Sequence, residues 1–185
     1  MAVRKMVTPE AIASAALKIV RAQGVDALSM RSLAAALGIK APSLYDHVKN
    51  RDAVIALVQA EGLRDFGAGF AAAGSSPRDK VLFYRDWALA NRNLYPVVFQ
   101  QRLHRELLPT GLEASVLGLV VEAAGGSHIT ARAMWAQLHG LVDLELQDRL
   151  PPGADTQATW LEVIRVLNLG GNNFAYERRS SSKSK

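Results

Sequence analysis

Cysteine is absent from the chain, so neither a disulfide framework nor a thiolate nucleophile is available to it. Aromatic residues are sparse at 6%, and no apolar run reaches the roughly 18 to 20 residues needed to cross a bilayer. Even the stretch from Leu112 to Ala124 is broken by Glu113 and Glu122. No period-two alternation marks a strand. Arg4 and Lys5 lie near the start, but no compact apolar segment with a small-residue cleavage site follows them. Gly67-Ala68-Gly69 hints at a dinucleotide loop, yet no strand precedes it and Gly74 comes too late for that fingerprint. There is no serine elbow and no paired metal-ligand motif. The expectation is a cytoplasmic, all-helical protein that is not an enzyme, holds no cofactor or metal, and makes no membrane contact.

What is present is apolar, helical and unevenly charged. Apolar residues make up 49% of 185 residues, enough for a substantial core, and the formal net charge is +5. Residues 1–50 carry seven basic side chains (Arg4, Lys5, Lys18, Arg21, Arg31, Lys40, Lys49) against three acids (Glu10, Asp26, Asp46). The last eleven residues add Arg178, Arg179, Lys183 and Lys185 against Glu177. The middle is slightly acidic, which points to a polyanionic partner at one end, although a solvated basic face has the same composition.

Punctuation divides the chain into helices. Thr8 as cap, Pro9 in the first turn and Glu10 at the positive end of the helix dipole predict a helix to Gln23, stopped by Gly24. Ile12, Ala15, Ala16 and Ile19 recur at helical spacing on its packing face. Ser29 caps a second helix to Leu37, ended by Gly38, and Pro42 opens a third through Val48. Asn50 caps a fourth from Arg51 to about Phe66, followed by a Gly/Ser loop from Gly67 to Pro77. Further helices are expected at about 78–92, 95–106, 112–124, 129–150 and 156–169. The segment after Gly170 is rich in Gly, Asn, Ser and Lys, the composition of a disordered basic tail.

From Ser29 to Val48 the residue types suit a helix-turn-helix: Ala34 is small at the crossing, Gly38 sits at the turn, and Ile39 and Leu44 can pin the last helix against Leu33 and Leu37. An ordinary helical hairpin shares that patterning. The polar complement separates the two. With Leu44 and Val48 turned inward, Lys40, Pro42, Ser43, Tyr45 and His47 fall on or beside the surface offered to a groove. Donors grouped there suit phosphate oxygens and base edges, and Ser29 and Arg31 are placed for the neighbouring backbone.

Residues 24–34, reading Gly-Val-Asp-Ala-Leu-Ser-Met-Arg-Ser-Leu-Ala, then Leu37-Gly38-Ile39, then 44–51, reading Leu-Tyr-Asp-His-Val-Lys-Asn-Arg, resemble the DNA-binding domain of TetR-family transcriptional regulators. The match covers roughly residues 8–60. The resemblance implies that Tyr45, His47 and Lys49 hold phosphates and that Lys40, Ala41, Pro42 and Ser43 approach bases or the adjacent backbone. It also implies a homodimer on a palindromic double-stranded DNA operator and an all-helical C-terminal domain for dimerisation and ligand. Members that bind a magnesium-tetracycline complex use a histidine late in the fourth helix, and none occurs here between Arg51 and Leu103.

For the body, the residues offer candidates only. Trp87, Asn91, Tyr95, Phe99 and His104, with Trp135 and His139, could line a mostly apolar pocket for a small apolar or aromatic ligand, or fill a core. Trp135 to Gly140 also resembles a run found in some C-terminal domains of the family. His139 and Asp143 are four apart, but no further ligand cluster accompanies them, so a core histidine is the simpler reading than a metal site. Ala133, Ala136 and Gly140, beside Gln137, form a small-residue stripe, and Trp160, Val163, Ile164 and Leu167 a bulky one; both suit a dimer interface or burial within one subunit. The expected organisation is a DNA-binding domain over 1–50, with its helix-turn-helix at about 29–48, a ligand and dimerisation domain over 51–172, and a tail over 173–185. The expected function is a ligand-responsive repressor. The alternatives are a constitutive or protein-regulated DNA-binding member, and a helical adaptor that retains no DNA sequence-selectively.

Overall fold

The computed structural model describes residues 7–173, with side chains to Leu167; Arg4, Lys5 and the tail expected over 173–185, apart from its first residue, lie outside the described residues. Every regular element described is helical: α1 (Pro9–Gln23), α2 (Met30–Leu37), α3 (Ala41–Leu44), α4 (Arg51–Ala72), α5 (Pro77–Ala90), α6 (Leu112–Ala123), α7 (His128–Leu146) and α8 (Thr156–Asn173). Two compact units share them. Among the described residues, one comprises 7–68 with Ala90–Val116; the other comprises Gly69–Leu89 with 117–173. Among the described residues no single helix is long and apolar enough to cross a membrane.

Local chemistry sets the first unit's helix ends. Thr8 Oγ1 accepts from Ala11 N at 3.2 Å, as its place before Pro9 predicts. The buried face of α1 is Ile12, Ala13, Ala16 and Val20, while Ala15 and Ile19 are only half-buried. Ser29 caps α2 reciprocally with Ser32: each hydroxyl accepts from the other residue's backbone N–H, at 2.9 and 3.0 Å. Serine thus takes the place usually held by Glu or Gln in such a box. At the other end Gly38 adopts φ +73°, and Ile39 N donates to Ala34 O while Gly38 N donates to Ala35 O. This double closure needs a left-handed residue, which glycine adopts without a Cβ penalty. Asn50 Oδ1 accepts from Ala53 N at 2.9 Å and starts α4 as its sequence position indicates.

Three expectations from the sequence need correction. α3 ends at Leu44 instead of Val48; beyond it Tyr45 N to Pro42 O and His47 N to Leu44 O close tight three-residue turns. The chain has to leave the helix there to reach the Asn50 cap. α4 runs past Phe66 to Ala72, through both glycines assigned to a loop. Gly67 and Gly69 serve packing: an added Cβ would stand 3.0 Å from Val116 Cγ2 at the first and 2.5 Å from Phe83 Cζ at the second. Gly62 is tighter still, at 2.3 Å from Val98 Cγ2. Finally, 95–106 is not one helix. It is a wide helical turn over Pro96–Gln100, an extended link, and a 3-10 turn over Arg105–Leu107.

Gln59 explains that irregularity. It is fully buried in mid-α4, its Nε2 donates to Val97 O (3.0 Å) and Arg102 O (2.9 Å), and its Oε1 accepts from His104 N (3.1 Å). One amide therefore serves three backbone groups that a continuous helix would have paired itself.

The second unit is held by α5, α7 and α8. Its core comprises Val81, Tyr84, Trp87 and Ala88, with Leu138, Leu141 and Val142, and with Trp160 and Ile164. Glu145 ties the three helices: it accepts from Arg85 Nε (2.9 Å) and Nη2 (2.6 Å) and from Trp160 Nε1 (2.8 Å). The charge-assisted bond to Glu145 raises the pKa of Arg85 above its usual value against the opposing effect of burial. Nearby, Tyr84 OH lies 3.4 Å from His139 Nδ1, and burial lowers the His139 pKa below its ordinary value, with the Asp143 carboxylate partly opposing.

Two consequences are measurable. Gln59→Leu leaves three backbone groups without their partner, so the urea midpoint should fall by the equivalent of about 2–4 kcal/mol; a loss below about 1 kcal/mol would mean that water replaces the amide. The unfolded chain protonates His139 near its ordinary pKa, about 6.5, whereas the folded chain does so only at lower pH. Stability should therefore fall as pH drops from about 6.5 through the lowered value, with no effect above that range. His139→Asn should remove this part of the pH dependence, and identical wild-type and variant profiles would refute it.

Candidate nucleic-acid interface

The surface begins with what is hidden. Leu33 and Ala34 of α2, Leu44 of α3, and Val48 just beyond it are buried, and α2 packs on both α1 and α3. Leu44 and Val48 are four apart, so the intervening turn has one inward edge and the remaining side chains must point away. Lys40, Pro42, Ser43, Tyr45, Asp46, His47 and Lys49 are all exposed, and Ala41 is half-buried. Tyr45 is 55% exposed, unusual for a tyrosine in a unit with apolar space to fill.

Arg31 and Ser29 lie at the start of α2, both exposed. The Ser29 hydroxyl and N–H are engaged in the cap, whereas the Arg31 side chain is exposed to solvent. Cations of this surface, Arg31, Lys40 and Lys49, are accompanied by Asp46 as its acid. Ammonium, guanidinium, imidazole and two hydroxyls on exposed backbone can donate to phosphate oxygens and to base edges of a groove. No group of three or more metal-ligating side chains occurs among the described residues.

The residues proposed from sequence for a ligand fall in both units. In the first, Tyr95 is fully buried with its ring 5.4 Å from Phe99, which meets Phe66 edge-on at 5.0 Å, and Asn91 is half-buried. The His104 ring has Nδ1 3.7 Å from Glu106 Oε1. In the second, Trp87 is buried, His139 faces Tyr84, and Trp135 lines a crevice of about 180 Å³ with Leu117, Val120, Ala131, Arg132 and Ala136. The crevice is smaller than the roughly 300–1,000 Å³ of ordinary ligand pockets.

Of the residues proposed for a dimer interface, Ala133, Ala136 and Gly140 are exposed along one face of α7. Trp160 and Ile164 are buried in their own subunit, while Val163 and Leu167 are half-buried. Among its described residues, the large apolar side chains that α8 exposes are Leu161 and Val166, which a reading by bulk alone passes over. On a helix both lie off the face that buried Trp160 and Ile164 define, and that periodicity was the available signal.

Comparison with known proteins bears on the whole arrangement. The family model for bacterial regulatory proteins of the tetR family matches residues 12–58, and that for a tetracyclin repressor-like C-terminal domain matches residues 81–167. The tetracycline repressor protein class C of Escherichia coli is 29% identical over 191 residues, covering 91% of this chain and 85% of that protein. The class D repressor, also of Escherichia coli, is 41% identical over 68 residues, 36% of this chain and 31% of the relative. A single-substitution TetR of Acinetobacter baumannii AYE, crystallised in complex with minocycline, shares the fold at a TM-score of 0.66 and 18% identity, over 91% of this chain and 98% of its own. With both its N-terminal and its C-terminal stretch matched, and a helix-turn-helix whose polar side chains face outward, this chain belongs to the TetR family of DNA-binding transcriptional regulators.

Proposed function

We propose that the chain is a ligand-responsive repressor that acts as a homodimer on a palindromic operator. The observation that carries the DNA-contact part is the exposure of Lys40, Pro42, Ser43, Tyr45, His47 and Lys49 around the buried pair Leu44 and Val48. Tyr45, His47 and Lys49 hold phosphates, and Lys40, Ala41, Pro42 and Ser43 approach base edges. Arg31, and the backbone at Ser29, approach the flanking strand. Residues 1–50 read DNA and 51–172 sense and dimerise, in the cytoplasm.

Two observations support the homodimer. The small-residue face of α7 (Ala133, Ala136, Gly140) and Leu161 and Val166 of α8 are left uncovered in one subunit. Small side chains let helices approach closely, and two-fold pairing would present two recognition segments to major grooves roughly 34 to 36 Å apart. For the ligand, the support is by likeness: both relatives described above are named tetracycline repressors, and one structural neighbour holds minocycline. A small apolar or aromatic compound suits the aromatic residues of the body, Trp135 among them, and release from DNA follows when it favours a dimer with a different groove spacing.

Sequences selected from a random duplex pool should form an inverted repeat, and a selection that yields none would remove the palindromic homodimer. On the selected duplex, Lys49→Gln should reduce the slope of log K against log salt by about one. Ser43→Ala should alter base preference and leave that slope unchanged; equal weakening on every duplex would reject base reading. For the sensor, a panel of apolar and aromatic compounds should contain at least one that raises the Tm and lowers affinity for the selected duplex. A compound that raises the Tm without that loss would favour a constitutive regulator.

A further inference from the structure

Arg51 opens α4, where a cation is opposed by the positive end of the helix dipole. Its placement there calls for compensation, and the structure supplies it from far along the chain. Nε donates to Leu28 O at 2.8 Å and Nη2 to Val25 O at 2.9 Å, across 23 and 26 residues. Both acceptors belong to the short connector between α1 and α2, a single 3-10 turn over Val25–Ala27 followed by buried Leu28. A third carbonyl of that connector, Ala27 O, accepts from Ser32 Oγ at 2.8 Å, so the α2 cap and the Arg51 fork grip the same few residues.

We propose that Arg51 is a positioning residue for DNA binding: its fork locks the α1–α2 connector onto the start of α4, fixing α2 relative to the turn that carries Tyr45, His47 and Lys49. It acts through those residues and does not itself neutralise a phosphate. The proposal rests on the DNA-contact surface described above. The geometry separates the two roles. A guanidinium that serves phosphate presents its fork outward, whereas here Nε and one terminal nitrogen are committed to carbonyls, although the residue as a whole is exposed. Lysine offers a point charge without the fork, so it can replace arginine at a phosphate but not across two carbonyls with fixed spacing.

The test uses the full-length chain and a duplex of the sequence it selects from a random pool, with a mixed-sequence duplex of equal length as reference. Arg51→Gln and Arg51→Lys are measured against Lys49→Gln over a salt series, well below each variant's Tm. Both Arg51 variants should lose roughly three- to tenfold in affinity for the selected duplex. They should keep the wild-type salt slope, lower the ratio of selected to mixed-sequence binding, and speed amide exchange over residues 25–29. A slope reduced by about one in Arg51→Gln, with recovery in Arg51→Lys, would make Arg51 a phosphate contact and overturn the proposal. Unchanged affinity in both variants, with fast or slow exchange, would overturn it equally. Wild-type binding to the selected duplex is the control: its failure would sink the DNA-contact reading, whereas failure of the Arg51 arm alone would leave that reading standing.

Discussion

Burial of Leu44 and Val48 is the constraint from which the recognition surface follows. Two apolar side chains four residues apart, taken out of water, contribute on the order of 1.5–3 kcal/mol each. Because they occupy one edge of a short turn, Ser43, Tyr45, His47 and Lys49 have no inward direction left to take. Hydrophobic burial thus places the polar donors; they need no mutual attraction to be gathered. The short length of α3 serves the same end, since the three-residue turns after Leu44 carry the chain to Asn50 while keeping Val48 inside.

A surface of this kind is useful only if its support is stiff, and the first unit achieves stiffness with long-range capture of backbone groups. Gln59 binds three backbone groups of residues 97–104, and Asn93 Nδ2 donates to Arg21 O at 3.0 Å, satisfying a carbonyl in the last turn of α1. Arg21 also pairs with Asp65 at 3.0 Å, but both side chains are nearly half-exposed, so that pair is worth little beside the buried amide. The glycines of α4 add close packing: without a Cβ at Gly62 the helix can lie against Val98.

The second unit solves a different problem with a charged centre. Glu145 accepts from Arg85 and Trp160 at once, so α5, α7 and α8 share one polar anchor, near the Tyr84–His139 contact between α5 and α7. Such a pair is weak evidence of extra stability, since both ions lose water, but it allows few alternative registers of the three helices. Trp160 faces inward, and among the described residues Leu161 and Val166 are the large apolar side chains that α8 offers to solvent or to a second copy.

Much of this was legible in the amino-acid sequence wherever the deciding forces act over a few residues. Thr8, Ser29, Gly38 and Asn50 each marked a helix boundary through hydrogen bonds or a backbone angle that neighbours alone determine, and the outward polar set followed from the spacing of Leu44 and Val48. Gly67 and Gly69 misled because a glycine that admits a neighbouring side chain looks, in one dimension, like a glycine that breaks a helix. Only the tertiary structure decided the course of residues 95–106, the inward turn of Trp160 and the engagement of Arg51, because in each case the partner lies 15 to 45 residues away. Local capping and periodicity are written in adjacent letters, whereas the capture of a distant carbonyl or carboxylate depends on which surfaces meet when the chain closes.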